Sequence, residues 1–227
     1  MRLTLVEKKK EAGNAVSFVW ESEIPVSWSA GQFLHYTLPH EKSDDRSTRR
    51  WFTISSAPHE GHIMFTTRFA EQGSSFKHAL QDLSIGGVIG AEGPEGEFVV
   101  DDPNRDMVFI AGGIGITPYR SILADLDHRG LPINVTLLYA NRDSDFIFKE
   151  ELEALAEKHP TFTIHYFVEP NRIDESEIRE NISDMAKAFV YLSGPEPMAE
   201  AFEEMLLQIG ISDTHIKRDY FPGYLWP

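Results

Sequence analysis

Met107–Tyr119, reading MVFIAGGIGITPY, constrains the fold of this chain more than any other stretch. An unbroken apolar run meets Gly112, Gly113 and Gly115 and then Thr117-Pro118, the chemistry of a buried strand that turns at once into a helix. Pro118 suits the first helical turn, so the helix is expected from about Pro118 to Arg129, with Gly130 as its stop. The glycines let the backbone turn tightly and approach an anion without Cβ interference, facing it with free N–H groups and the positive helix end. The third glycine of the common dinucleotide fingerprint is absent, with Pro118 in its place. By itself the turn therefore fits either a nucleotide pyrophosphate site or an ordinary tight strand-to-helix connection.

The segment also begins a change of rhythm. From Asp102 onward, strands are expected at Met107–Ile110, Asn134–Tyr139, Thr161–Val168 and Phe189–Leu192. They alternate with helices at 118–129, Phe148–Lys158 and Met198–Ile209, the last stopped by Gly210. That alternation predicts an α/β unit with a parallel sheet covered on both faces. The preceding hundred residues read instead as short strands: Val16–Trp20, Phe33–Leu38, Trp51–Ser55, the alternating Ile63–Phe69, and Val88–Ala91. Turn chemistry separates them, and Ser74–Gln81 is the one helix expected among them. The prediction is a two-domain chain, an antiparallel β-barrel over residues 1–101 and an α/β domain over 102–227, divided at Asp101-Asp102-Pro103-Asn104. Charge changes at the same place, from 10 basic and 14 acidic residues (net −4) to 11 and 22 (net −11).

Composition removes several function classes. The formal charge of −15 disfavours nucleic-acid binding. The chain has no cysteine, which excludes thiolate catalysis, disulfides and cysteine-held zinc or iron–sulfur clusters within these residues. His59 and His62 share a turn with no third ligand in view, so no metal site is expected. No apolar run approaches the ~20 residues that span a bilayer. The N-terminal residues do not read as a secretory signal, and a cytoplasmic protein is expected.

Four further motifs bear on chemistry. Arg50-Trp51-Phe52-Thr53 opens a strand after a polar loop, with Arg50 and Phe52 on one face and Trp51 and Thr53 on the other. Alone it also reads as a barrel strand ending in a solvated arginine. Gly73-Ser74-Ser75-Phe76 offers hydroxyls and free N–H groups at a helix start, for an anion or simply as a cap. Gly93-Pro94-Glu95-Gly96-Glu97-Phe98 reads as a tight turn. Ser193-Gly194-Pro195-Glu196-Pro197-Met198 is a strand-to-helix turn at the sheet edge where open α/β folds bind ligands.

Taken in order, these motifs resemble the ferredoxin–NADP reductase superfamily, which includes cytochrome b5 reductases and oxygenase reductases, over nearly the whole chain. Arg50–Thr53 resembles its Arg-X-Tyr-Ser flavin motif, Gly73–Phe76 its flavin pyrophosphate segment, and Gly93–Phe98 its barrel-closing turn. Gly112–Pro118 resembles its nicotinamide pyrophosphate loop, and Ser193–Met198 its Cys-Gly-Pro-X-X-Met.

The resemblance implies FAD as cofactor and NAD(P)H as substrate, with hydride passing from nicotinamide C4 to flavin N5 and no general base. On it, Arg50 pairs with the flavin pyrophosphate, and Phe52, which replaces the family tyrosine, packs on the flavin beside Trp51. Thr53 directs its hydroxyl toward N5. Thr66, Thr67 and Arg68 line the flavin pyrimidine, and Arg68 also reaches the nicotinamide pyrophosphate. Gly73, Ser74 and Ser75 hold the flavin phosphates. Gly113, Gly115, Thr117 and Pro118 receive the pyridine nucleotide together with Gly194, Pro195 and Met198, and Ser193 stands in for the family cysteine at the nicotinamide.

Tyr224 or Trp226 in the aromatic tail is by analogy a lid over the flavin, or else the tail simply packs on the barrel. Arg142 suits a 2′-phosphate, whereas Asp143 and Asp145 suit a free ribose diol, leaving NADH against NADPH open. Arg46 and Arg49 offer a local basic patch for an acidic carrier, or are solvated loop charges.

The function expected is a flavoprotein reductase passing single electrons to a separate acceptor, either a carrier protein, ferredoxin or flavodoxin being the family's commonest, or a small molecule such as a quinone, free flavin or metal complex. The alternative is a non-catalytic or regulatory flavin- or nucleotide-binding subunit of a larger redox complex.

Overall fold

Alternating inward and outward side chains build the first sheet from β1 (Arg2–Lys10), β2 (Ala15–Ser22), β3 (Phe33–Thr37), β4 (Arg49–Thr53), β5 (Ile63–Arg68) and β6 (Val88–Glu95). The computed structural model describes residues 1–41, 43–45, 47–70, 73–182 and 184–221. The six strands form an antiparallel half-barrel in the order β4-β3-β6-β1-β2-β5. Its core holds Leu3, Leu5, Phe18, Trp20, Leu34, Tyr36 and Phe65, and α1 (Ser75–Asp82) plugs one end with Phe76 and Leu80.

The second sheet is parallel throughout, with β7 (Met107–Gly112), β8 (Val135–Asn141), β9 (Phe162–Val168), β10 (Phe189–Pro195) and β11 (Ile216–Phe221) in the order β11-β10-β7-β8-β9. Both faces are buried, which explains why β7 is one apolar run. Met107, Phe109 and Ala111 face α2 (Thr117–His128) and α3 (Lys149–Lys158), while Val108 and Ile110 face α4 (Glu175–Asn181) and α5 (Glu196–Gln208). The chain leaves β7 toward β8 and later returns to its other side as β10, so the sheet's switch point lies at the carboxyl end of β7.

Three elements have no counterpart among the expected ones: β1, α4 and β11. In α4 and β11 the apolar signal is weak, since α4 buries only Ile178 and β11 reads Ile-Lys-Arg-Asp-Tyr-Phe, and in β1 the alternation of Leu3 and Leu5 gives way to Glu7-Lys8-Lys9-Lys10. Two junctions also differ. Gly93-Pro94-Glu95 continues β6, with Glu95 opposite Phe33, where a tight turn was expected. Between β7 and α2 lies a 3-10 turn, Gly113–Ile116, so the glycines do not open directly onto the α-helix.

Arg120 and Ser121 of α2 hold the two sheets together. The Arg120 guanidinium makes a forked ion pair with Glu60, one arm 2.8 Å long, and donates to the Ser55 carbonyl at 3.1 Å and to Glu151 at 3.2 Å. Ser121 Oγ donates to the Ser56 carbonyl at 2.7 Å. Beside them Phe98 packs edge-on against Tyr191.

Candidate functional site

A cleft of about 770 Å³ opens where the carboxyl end of the parallel sheet meets β4, β5 and α1. Its wall contains Arg50, Trp51, Phe52, Thr53, Thr66, Arg68, Gly73, Ser74, Gly113, Thr117, Arg142 and Pro195 of the expected residues.

On the half-barrel side, β4 places Arg50 almost wholly out of solvent, ion-paired to Asp44 at 2.7 Å. Phe52 stacks on Phe65 with ring centroids 4.5 Å apart and planes within 7°. The face shared by Trp51 and Thr53 runs from solvent into the junction between the sheets: Trp51 is 41% exposed, Thr53 is 3% exposed. α1 begins at the same wall, where Ser74 caps it by accepting from the Lys77 N–H. Thr66 shares its hydroxyl with Ser17 and Ser55, at 2.7 and 3.1 Å, which orders β5 beneath the cleft.

The glycine turn forms the facing wall. Gly113 has φ +53° and no atom closer than 3.8 Å to the position its Cβ would take, so the space beside it belongs to the cleft. A phosphate can approach there as it could not approach a side chain. Gly112 and Gly115 act differently. A Cβ on Gly115 would lie 2.1 Å from the Ser193 carbonyl oxygen, and one on Gly112 2.1 Å from Met198 Sδ. These two glycines let the turn seat on β10 and α5.

Met198 is therefore a floor under the turn, and Gly194, whose Cβ would fall 3.0 Å from Met198 Sδ, belongs to the same close packing. Pro118 starts α2 within the core, and Thr67 is buried in β5 behind the wall. Thr117 donates its hydroxyl to the Ile114 carbonyl at 3.1 Å, inside the turn itself. Tyr139, which the sequence did not single out, donates to the Gly113 carbonyl at 3.0 Å and accepts from the Ile147 N–H at 3.3 Å.

At the rim, Arg68 crosses from β5 to donate to Asn141 Oδ1 at 3.2 Å. Asn141 Nδ2 donates to Asp143 Oδ1 at 3.0 Å, and the Asp145 N–H reaches the same oxygen at 2.9 Å. Arg142 and Asp143 thus stand together at the end of β8, in the expected ribose region.

Behind Thr53, outside the residues of the cleft wall, β11 supplies a second residue to which the sequence assigned no role. Asp219 is the register partner of Ser193 on the neighbouring strand, and Thr53 Oγ1 donates to its Oδ2 at 3.3 Å. Burial pushes the Asp219 carboxyl up to about 7, more than the Thr53 hydrogen bond lowers it. Ser193 Oγ is buried without a hydrogen-bond partner. An orphaned buried hydroxyl beside a carboxyl of raised pKa fits a polar ligand edge such as a carboxamide. Tyr224 and Trp226, like Arg46, lie outside the described residues. Arg49 is ion-paired with Glu92 at 2.8 Å, which offsets the positive charge expected to face a carrier. Among the described residues no helix is long and apolar enough to cross a membrane.

Two family models match the chain, the oxidoreductase FAD-binding domain over residues 2–100 and the oxidoreductase NAD-binding domain over residues 109–204. Among curated relatives, the ferredoxin reductase component of 3-ketosteroid-9-alpha-monooxygenase from Mycolicibacterium smegmatis is 29% identical over 235 residues, covering 97% of this chain and 65% of that protein. NADH-cytochrome b5 reductase 1 from Mortierella alpina is 31% identical over 177 residues, covering 72% of this chain and 59% of that protein. The flavohem-like FAD/NAD-binding domain of nitric oxide dioxygenase from Vibrio cholerae superposes with a TM-score of 0.85 at 21% identity, covering 97% of this chain and 98% of that one. The chain spans 51% to 65% of the length of the curated relatives it matches. With a flavin half, a nucleotide half and one cleft between them, the chain belongs to the ferredoxin–NADP reductase superfamily and is an FAD- and NAD-binding oxidoreductase module.

Proposed function

We propose that the chain takes hydride from a reduced pyridine nucleotide and hands single electrons to a separate acceptor, a ferredoxin or flavodoxin being the partner class. One observation carries the reading. The half-barrel's arginine and helix start and the parallel sheet's glycine turn wall one cleft, and Thr53 of that wall is hydrogen-bonded to Asp219, the register partner of Ser193, behind it.

Bound FAD would supply an acceptor that takes two electrons together and releases them singly. The chain's own tasks are to bind, align and exclude water. Arg50 and the start of α1 would hold the flavin pyrophosphate, and Gly113 with Arg68 the nucleotide pyrophosphate. Ser193 Oγ would meet the nicotinamide carboxamide. With Asp219 protonated, the Thr53–Asp219 bond would reverse so that the carboxyl donates to Thr53 Oγ1, freeing the Thr53 hydroxyl hydrogen to point at the flavin edge.

Anaerobic mixing of the FAD-loaded chain with NADH or NADPH tests this. Bleaching of the flavin band, followed by reoxidation on adding ferredoxin, flavodoxin or another carrier, is expected. A chain that binds both cofactors without bleaching is the non-catalytic subunit, and one that takes up no FAD refutes the reading altogether. The faster of the two nucleotides identifies whether Arg142 or Asp143 governs the ribose.

A further inference from the structure

The loop before β4 places a carboxylate of the chain's own where an external anion would be expected. Asp44 Oδ1 accepts from Arg50 Nη2 at 2.7 Å, while Oδ2 accepts from the backbone N–H of Ser75, the first residue of α1, at 3.0 Å. The contact is reciprocal, since the Asp44 N–H donates to Ser75 Oγ at 2.9 Å. His40 Nε2 lies 2.9 Å from that hydroxyl as well, and Arg50 Nη1 donates to the Ser47 carbonyl at 3.0 Å. A nearly buried guanidinium and a helix-start N–H, two groups suited to a phosphate, are thus bridged by one side chain. Partial burial opposes ionisation of Asp44. Hydrogen bonds from Arg50 and Ser75, with the Arg50 charge, outweigh it and hold the carboxyl down at about 2. The carboxylate therefore stays charged at any working pH.

We propose that Asp44 is an internal counter-anion, seated between Arg50 and Ser75 in the flavin-free chain, which must leave before the FAD pyrophosphate can enter. The proposal rests on the assignment of this cradle to the flavin pyrophosphate. A guanidinium that is 5% exposed cannot remain unneutralised at low cost, so a resident carboxylate lets the flavin-free chain fold around it. The same contact competes with the ligand. Apparent flavin affinity falls by the fraction of molecules in which the seat is open. Asp44 brings one charge and two oxygens, a pyrophosphate brings more of both, so FAD wins once it is abundant. Riboflavin has no phosphate and does not contest the seat. Asp44 thereby becomes a determinant of how firmly, and for which flavins, the chain is loaded.

The test titrates the flavin-free full chain with FAD, FMN and riboflavin, following quenching of flavin fluorescence. Asp44→Asn is expected to tighten FAD and FMN by about tenfold and to leave riboflavin unchanged. Unchanged or weaker FAD binding in Asp44→Asn, with FAD weakened in Arg50→Ala, overturns the counter-anion and spares the cradle. Equal tightening of riboflavin also overturns it, as general loosening of the loop. FAD affinity unaffected by Arg50→Ala overturns the cradle itself. A measurement on the unaltered chain needs no variant. The stopped-flow rate of FAD association should level off at high FAD, because the carboxylate leaves first, and a rate that rises linearly throughout refutes the proposal.

Discussion

The two anion cradles proposed for the cleft are made in opposite ways. The one on the half-barrel is made of charge: Arg50 and the α1 N-terminus, joined to each other through Asp44. The one on the parallel sheet is made of shape: a glycine at positive φ over open space, with two more glycines packed against β10 and α5. A buried charge demands a partner whether or not a ligand is present, whereas a shaped backbone demands none. The first cradle can therefore be self-filled and its affinity tuned by one side chain. The second depends on packing and is set once the sheet has folded.

Substitutions should separate the two. The largest effect is expected from Gly115→Ala, whose new Cβ falls 2.1 Å from a backbone oxygen that cannot yield cheaply. Overpacking of this kind should destabilise the chain by about 3 kcal/mol, read by urea denaturation, and abolish flavin reduction by the nucleotide. Comparable losses in FAD affinity and nucleotide affinity would erase the distinction between the cradles.

Arg50→Ala comes next. It should weaken FAD by roughly 10–100-fold, the value of a charge-assisted hydrogen bond or two, and leave nucleotide binding to the FAD-free chain unchanged by equilibrium dialysis.

Asp219→Asn probes the carboxyl behind Thr53. With a folded-state pKa of about 7 above an unfolded value near 4, the ionised carboxylate costs stability as pH rises through that window, and the full cost applies above about 7. The variant should thus gain thermal stability relative to the parent at pH 8 and little at pH 4. Any step in flavin reduction rate near pH 7 should disappear with it.

Gly113→Ala is the mildest, since the Cβ meets no atom within 3.8 Å and the change adds only the roughly 1–2 kcal/mol of left-handed backbone strain. It should keep the fold and raise the KM for the nucleotide far more than it lowers kcat.

The sequence reveals the shape-built cradle more readily than the chemistry at the junction. Met107–Tyr119 announces a strand, a turn and a helix because local rules govern all three, and Gly113 stands where they place it. Arg50–Thr53 and Gly73–Phe76 are legible for the same reason. Asp219 is not, because its meaning comes from pairing with Ser193 and reaching Thr53, which is 166 positions away. Its only local signal is an acid directly before Tyr220 and Phe221 in a strand too polar to be recognised. Tyr139 is hidden in the opposite way, as one aromatic in an apolar strand whose hydroxyl acquires its role only once Gly113 turns above it. Asp44 reads as one more acid in a polar loop until Arg50 and α1 close around it.

Arg120 and Ser121 sit within one helical turn of the glycine segment, and the carbonyls they grip belong to Ser55 and Ser56, just past Thr53. This clamp works as a caliper. It fixes the spacing of the two walls from outside the cleft, so a substitution at Glu60, which belongs to neither wall, would still change how far apart they are held.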